Sequence, residues 1–342
     1  MQNSSGSDVE LNQVSREACI DAIIARLGKT LVMALPLGLG KPIELVNAIY
    51  DRACQDPSIS LTILTALSLE RPGETHPIRG RLLNPVFDRL YANYTEASYA
   101  TAVREERLPA NICVREFYFK PGSRLKNTAA QQNYTSSNYT HAARDVVAQG
   151  CNLVMQLVAR DPADSQRLSM SCNPDTSAEV VQRLTDLGRD FVSVAVVHPD
   201  LPYMYGDAEV RGSQYDFVLD TNVQHHGLFT MPKLPPVSAS DYAIGLHASC
   251  LVADGGTLQL GIGAMSDAIV HGLQLRHNRN SDYRALLSRF NIDKHWSNLI
   301  GQYGGLGEFV EGLYGATEMF VEGFWHLFGS GILKREVYDF WA

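Results

Sequence analysis

The chain has 342 residues, of which 45% are hydrophobic and 19% charged, and its formal net charge at pH 7 is −8. At roughly 150 residues per domain this length predicts two domains, and the ordinary composition excludes the disordered, collagen-like and coiled-coil classes. A net negative charge repels a phosphate backbone, so we expect no nucleic-acid partner.

The N-terminal residues 1–6 lack the charged and apolar regions of a secretory signal, and no stretch reaches the roughly 18 apolar residues of a membrane span. The six cysteines are widely spaced and form no C-x-x-C pair, which is typical of free thiols in a reducing compartment. We therefore expect a cytoplasmic protein without membrane contact and without a bound metal.

The N-terminal part of the chain alternates strand and helix patterns. A helix is predicted after Ser15, a buried strand at 29–35, a glycine turn at 36–41, a helix at 43–54 and a β-branched strand at 59–66. Strand, turn, helix and strand form a β-α-β unit, and the alternation returns at 146–159, 178–197 and 242–260. These repeats predict an α/β fold with mostly parallel sheets.

The stretch 231–240, MPKLPPVSAS, is the best candidate linker because its proline pair resists both helix and central strand. We therefore predict a first domain at 1–236 and a second at 237–342. Within the second domain, residues 274–311 are polar and weakly periodic, and we interpret them as an insertion between two β-α units.

The sharpest local signal is DGGTLQLGIGAMSDAIVHGL at 254–273. It predicts a strand, a tight turn at Gly261 and Gly263, and a helix with Ser266 and Asp267 at its cap and first turn. Such a junction directs backbone N–H groups and the positive end of a helix dipole into a crevice, which favours an anion. A turn that merely links strand to helix is the alternative. The third glycine of a dinucleotide fingerprint is replaced by Ser266, which argues against NAD.

The stretch GLYGATEMFV at 312–321 contains Glu318 among apolar and small residues. One interpretation is an ordinary surface or helix-capping glutamate. The other is a nucleophile, since a carboxylate can attack a thioester carbonyl to form first an anhydride and then a covalent thioester. The single residue does not decide between them.

Two further groups are weaker candidates. Five residues could form a basic patch for an anion, although an ordinary charged helix surface explains them as well: Lys120, Arg124, Lys126, His141 and Arg144. The pair His225 and His226 has no acidic or cysteine partner at a ligand spacing, so metal binding is not predicted there.

Three ordered motifs resemble the acetyl-CoA hydrolase and 4-hydroxybutyrate CoA-transferase family of class I CoA-transferases. Residues 254–273 resemble D-G-x-T-L-Q-x-G-I-G-x-x-x-x-A-V, and GATEMFVEG resembles the H-T-E-M-x-x-x-G stretch that holds the catalytic glutamate. HPDLPYMYGDAEV resembles N-x-x-M-P-x-x-x-G-D, with His198 and Leu201 replacing the usual Asn and Met. PLGLGKPIELVNAIYDRA, at 36–53, lies where the family has G-x-P before a helix.

The resemblance implies two open α/β domains that face each other across the active-site cleft, the second incomplete in this chain. It implies transfer of CoA between an acyl-CoA and a carboxylate through a thioester on Glu318, with coenzyme A as co-substrate, no metal and a homodimeric assembly. It also implies that the N–H of Ile262 is an oxyanion donor and that Gly261, Gly263 and Ala264 bind the CoA side of the substrate.

Three alternatives stay open at this stage. Water could replace the acceptor carboxylate, which would make the protein an acyl-CoA hydrolase that uses the same glutamate. Only 24 residues follow Glu318, whereas relatives continue further, so the chain could be a truncated, non-catalytic acyl-CoA-binding fragment. A phosphosugar or nucleotide-sugar enzyme would use the glycine turn without needing Glu318.

Overall fold

The computed structural model describes residues 15–220, 227–228, 236–317 and 320–336. The chain divides into two units, Met1–Phe229 and Thr230–Ala342. The described part of the first unit forms seven α-helices and eight strands. The helices are Arg16–Leu27 (α1), Ile43–Gln55 (α2), Pro77–Leu90 (α3), Ser98–Arg104 (α4), Thr128–Gln132 (α5), Ala142–Ala148 (α6) and Asp175–Asp186 (α7). The strands are Thr30–Ala34 (β1), Ser60–Thr65 (β2), Ile112–Glu116 (β3), Leu153–Arg160 (β4), Arg167–Ser169 (β5), Val192–Val197 (β6), Glu209–Arg211 (β7) and Phe217–Leu219 (β8).

Six of these strands form a parallel ladder in the order β3-β2-β1-β4-β6-β8. The short strands β5 and β7 extend the end of β4 in antiparallel fashion. The predicted α/β class with mostly parallel strands is thereby confirmed. Because the chain moves outward from β1 in one direction and from β4 in the other, the order reverses between these two strands. A reversal of this kind opens a crevice at the carboxyl ends of the strands.

Helices cover both faces of this sheet, which explains why its strands are rich in apolar and β-branched residues. All six residues of β6 are buried, and so are the first seven of β4. One face packs on α1, α2 and α4, with Ile23, Val46 and Tyr99 in the same hydrophobic cluster. The opposite face packs on α6 and α7. The side chains of each strand alternate between these two cores.

The described part of the second unit forms six α-helices and two strands. The helices are Ala239–Ser249 (α8), Ala264–Asn278 (α9), Asn280–Arg289 (α10), Ile292–His295 (α11), Ser297–Tyr303 (α12) and Glu322–Gly329 (α13), and the strands are Thr257–Gln259 (β9) and Tyr314–Ala316 (β10). The strands are parallel to each other. The segment 274–311, interpreted as a weakly periodic insertion, is largely helical: it holds the end of α9 and the whole of α10, α11 and α12.

Helices α8 and α9 cross at a distance that requires glycine. A Cβ on Gly245 would overlap the carbonyl oxygen of Ala268, and a Cβ on Gly272 would lie 2.9 Å from the carbonyl oxygen of Gly245. The backbones therefore pack directly on each other. Among the described helices none is long and apolar enough to cross a membrane, since even α9 has only 15 residues.

Candidate functional site

The turn between β9 and α9 presents backbone to solvent at the carboxyl end of its strand. Gly263 has φ 142, a conformation that glycine adopts readily, and it is the N-cap of α9. Ile262 is 51% exposed, and Gly261 is exposed as well. Because the first N–H groups of a helix have no partner within the helix, they are free in principle to bind an anion.

The predicted start of α9 needs one correction. Ser266 and Asp267 suit a cap and first turn by residue type, but the helix begins at Ala264, two residues before Ser266. The cap is Gly263, whose φ lets the turn enter the helix directly. The helix N-terminus therefore starts inside the G-I-G motif, so the turn and the end of the dipole coincide.

Strand β10 lies beside β9, and the segments that follow the two strands are joined. Ala316 is in register with Gln259, and the N–H of Leu260 donates to the carbonyl oxygen of Ala316 at 3.3 Å. The hydroxyl of Thr317 donates to the carbonyl oxygen of Leu260 at 2.9 Å. This last bond fixes the residue that precedes Glu318 to the residue that precedes Gly261.

Glu318 itself lies outside the described residues, as does Met319. The structure therefore describes the turn and the chain up to Thr317, which is the immediate neighbour of the predicted nucleophile. The carboxyl ends of parallel strands meet at one edge of a sheet, and both predicted elements follow such an end.

Asp254 anchors the loop that leads into β10, a role that the sequence did not reveal. Its carboxylate accepts from the N–H groups of Val310 at 2.8 Å, Glu311 at 3.0 Å and Gly312 at 2.9 Å. Burial opposes ionisation, but these bonds and one from the N–H of Gly255 outweigh it and hold the pKa of Asp254 below its ordinary value. The sequence D-G-G at 254–256 was the one local feature that could have indicated this role.

Arg276 holds the base of the helical segment between α9 and β10. It is 1% exposed and donates to the carbonyl oxygens of Ser249, Val252 and Gly307. Its guanidinium also lies 4.3 Å from the ring centre of Phe309. Burial lowers the pKa of Arg276 below that of a free guanidinium. The segment is thus attached to the β9–α9 unit by a buried cation rather than by apolar contacts alone.

The carboxyl edge of the first unit carries an unusual concentration of left-handed backbone. Gly38, Leu67, Ser171 and Asn173 have φ values between 47 and 54. A Cβ on Gly40 would lie 3.0 Å from the carbonyl oxygen of Cys172, so the loops after β1 and β5 pack tightly together. Non-glycine residues in this conformation cost of order 1 kcal/mol each and concentrate at ligand sites.

A buried polar network ties these loops together. Lys41 is 1% exposed, and its ammonium donates to the carbonyl oxygens of Ala66 at 2.7 Å and Leu67 at 3.2 Å. Ser68 donates to the carboxyl of Glu116 at 2.7 Å, and the hydroxyl oxygens of Ser68 and Tyr99 lie 2.8 Å apart. The network therefore joins the segments that follow β1 and β2 to the last residue of β3.

Burial controls ionisation in this network. It lowers the pKa of Lys41 to about 7, against the attraction of Glu116. It raises the pKa of Glu116, against the hydrogen bond from Ser68 and the charges of Lys41 and Arg124. Desolvation thus works against both charged forms, as it does for any ion taken out of water.

The basic patch is not supported as an anion site. Arg124 is 6% exposed and pairs with Glu70 at 2.8 Å, and Arg144 pairs with Asp145 at 2.8 Å. His225 and His226 lie outside the described residues. Within the part of the chain that the structure describes, no group of three or more His, Cys, Asp or Glu side chains is arranged to hold a metal ion.

Comparison with known proteins gives one sequence match and several structural ones. No family model matches the chain. A stretch of 89 residues is 36% identical to the 4-hydroxybutyrate coenzyme A transferase of Clostridium kluyveri, which is 25% of this chain and 19% of that protein. RipA from Yersinia pestis has a similar structure, with a TM-score of 0.54, 18% identity and coverage of 94% of this chain and 61% of the RipA chain. A point mutant of RipA gives a TM-score of 0.58 at 17% identity, with the same coverage.

These matches define the fold first. The described architecture is an α/β fold shared with RipA over nearly the whole chain, and this chain covers less than two thirds of the RipA chains. The sequence match then points to the more particular relationship. Over a quarter of the chain, this match bears out the resemblance to the acetyl-CoA hydrolase and 4-hydroxybutyrate CoA-transferase family that three motifs predicted.

Proposed function

We propose that this protein transfers CoA between an acyl-CoA thioester and a carboxylate, through a covalent thioester on Glu318. The observation that carries the proposal is the hydrogen bond from the Thr317 hydroxyl to Leu260, beside the G-I-G turn. It supports a site in which the nucleophile and the N–H groups of the turn act on one carbonyl group. Coenzyme A is the co-substrate.

The reaction balances without an outside reagent. A carboxylate oxygen of Glu318 attacks the acyl carbonyl carbon, and the C–S bond breaks to give an acyl-glutamyl anhydride and CoA thiolate. The thiolate attacks the glutamyl carbonyl of the anhydride, which releases the first carboxylate and leaves glutamyl-CoA. The acceptor carboxylate then repeats both steps in reverse order and regenerates the carboxylate of Glu318.

The turn at 261–264 has a defined part in this scheme. Negative charge develops on the carbonyl oxygen at each attack, and we assign the N–H of Ile262 as one donor to it. The N-terminus of α9, which begins at Ala264, favours the same charge. Loss of one such donor costs on the order of 10²-fold or more in rate. Gly261, Gly263 and Ala264 would lie against the CoA side of the substrate.

The acceptor is a carboxylic acid rather than water in this proposal, because the 89-residue match is to a transferase. Hydrolysis uses the same intermediate, with water attacking the glutamyl thioester to give free CoA and the Glu318 carboxyl. Assays with acetyl-CoA in the presence and absence of 4-hydroxybutyrate distinguish the two. Transfer predicts a new acyl-CoA that depends on the acceptor, whereas hydrolysis predicts free CoA without it.

Trapping the intermediate tests the central step. The protein is incubated with acetyl-CoA, denatured in acid and analysed by intact and peptide mass spectrometry. We expect a mass increase equal to CoA less one water, located on the peptide that contains Glu318. Glu318→Ala should lose the adduct and the activity together, and the exposed Glu308→Ala is the matched control that should retain both. Full activity in Glu318→Ala would overturn the assignment.

The assembly and location are also proposed from the family relationship. We propose a cytoplasmic homodimer. Analytical ultracentrifugation of the purified chain tests the first part, since a monomer at micromolar concentration would contradict it. Fractionation of cells that express the protein tests the second.

A further inference from the structure

A cavity of about 140 Å³ lies within the first unit. Its walls include residues of three elements and of the segments beside them: Ala102 and Val103 on α4, Val114 and Glu116 on β3, and Ala130 on α5. Glu116 follows Val114 on the buried face of the strand, and it lines the cavity together with the amides of Asn127 and Asn133. The proposed CoA chemistry assigns no role to this space.

The polar groups around the cavity differ in their remaining hydrogen-bonding capacity. Asn127 donates to the carbonyl oxygen of Val103 and accepts from the N–H of Ala130. Asn133 donates to the carbonyl oxygen of Ala129 and accepts from the thiol of Cys113. Both amides are therefore used to hold α5 in place. Each amide thereby uses one of its two N–H donors and one of its two acceptor lone pairs.

Glu116 is the buried wall group that, when ionised, only accepts hydrogen bonds. It is 6% exposed and accepts hydrogen bonds from the hydroxyl and the backbone N–H of Ser68, whereas a carboxylate can accept about four. Lys41 and Arg124 contribute opposite charge nearby, and Arg124 is itself paired with Glu70. Because positive groups already lie close to this carboxylate, the wall attracts a hydrogen-bond donor without demanding a charged one.

The size and polarity of the cavity define the class of small molecule that it can bind. A cavity of about 150 Å³ with apolar walls is large enough to hold benzene. The negative charge of Glu106, an exposed residue that also lines the cavity, disfavours an anion there. A ligand of this cavity must therefore be compact, mainly apolar and uncharged.

We propose that this cavity binds a small uncharged molecule with an apolar ring-sized body and one hydroxyl group that donates to Glu116. The residues that line the cavity are distinct from those assigned to the proposed CoA transfer. Its ligand is also distinct from the acceptor carboxylate, which carries a negative charge. The proposal does not depend on the proposed function, because binding can be measured without turnover.

Titration with phenol and toluene tests the proposal on the intact chain. The two probes have nearly the same shape, and phenol alone has a hydroxyl donor. By calorimetry and by NMR of the Val103 and Val114 methyl groups, we expect saturable one-site binding of phenol with toluene at least ten-fold weaker. Equal affinities for phenol and toluene would show that Glu116 does not accept a hydrogen bond from the ligand. Absence of saturable phenol binding would contradict the proposed site.

Two variants and a third probe complete the test. Ala130→Phe fills the cavity and should abolish phenol binding, while Ala148→Phe, at an exposed position of α6, should preserve it. Phenol binding that survives in a folded Ala130→Phe protein would place the probe elsewhere and contradict the proposal. Benzoate binding as tight as that of phenol would contradict the uncharged class. The comparison of probes on the wild-type chain needs no variant, so it remains decisive if Ala130→Phe fails to fold.

Discussion

The hydroxyl of Thr317 donates to the carbonyl oxygen of Leu260 at 2.9 Å, across the carboxyl ends of two parallel strands. Leu260 is the residue before the G-I-G turn, and Thr317 is the residue before Glu318. A single hydrogen bond therefore links the residue before the G-I-G turn to the immediate neighbour of the proposed nucleophile.

Thr317→Val should impair catalysis more than stability. Loss of the bond costs about 1 kcal/mol in the free energy of unfolding, whereas a displacement of about 1 Å at a reacting group costs about 10²-fold in rate. We expect kcat for CoA transfer to fall by at least about ten-fold, with a modest decrease in Tm. Thr317→Ser keeps the hydroxyl and should restore most of the rate. A Val variant with unchanged kcat would show that the bond does not position the site.

Asp254→Asn should destabilise the second unit. The carboxylate accepts three N–H bonds from residues 310–312, and an amide cannot replace it because half of its polar end donates. We expect a loss of about 2 kcal/mol in the free energy of unfolding at pH 7, measured by urea denaturation. Asp282→Asn, which removes only an exposed pair with Arg279, should change stability by less than about 0.5 kcal/mol.

The same carboxylate gives a pH prediction. The pKa of Asp254 is lower in the folded chain than its ordinary value of 3.8, so the unfolded chain binds the proton first as pH falls. Its contribution is complete above the unfolded pKa and is lost as pH falls through the folded pKa. The difference in stability between wild type and Asp254→Asn should therefore shrink below about pH 4. A difference that stays constant down to pH 2 would contradict this account.

Lys41 should make stability rise with pH above neutrality. Burial holds its folded pKa at about 7, whereas the unfolded value is 10.5, so between these values the unfolded chain binds a proton that the folded chain does not. The free energy of unfolding should then rise by up to about 1.4 kcal/mol per pH unit from this group. Subtracting the curve of Lys41→Met from that of wild type isolates the effect between pH 7 and 9. Lys29→Met, at an exposed lysine paired with Asp56, should leave the slope unchanged.

Gly245→Ala tests the close crossing of α8 and α9. Its new Cβ would overlap the carbonyl oxygen of Ala268, so the helices must separate, at a cost of about 1–3 kcal/mol. Gly301→Ala, within α12 and with nothing within 4 Å of its Cβ, should instead stabilise by about 0.5–1 kcal/mol through helix propensity. Opposite signs of ΔTm for the two variants support direct backbone packing, and a neutral Gly245→Ala would refute it.

The sequence by itself determined the fold class and the family resemblance. Strand patterns such as 59–66 and 191–197 are rich in apolar and β-branched residues because helices cover both faces of the sheet, and that local signal survives without any tertiary information. The motif at 254–273 also predicted a strand, turn and helix correctly in type. The helix start was misplaced, because residue types favoured Ser266 as cap while the φ of Gly263 allowed the helix to begin earlier.

Only the tertiary structure decided which distant residues meet. The three bonds to Asp254 come from residues more than 50 positions away, the donors to Ala66 and Leu67 come from Lys41, and the cavity beside Glu116 is lined by residues of three separate elements and of the segments beside them. None of these contacts produces a periodic pattern in the sequence, because each depends on strand order and helix packing rather than on neighbouring residues. Local periodicity therefore determines the elements, while burial and hydrogen bonding between elements determine the chemistry at their ends.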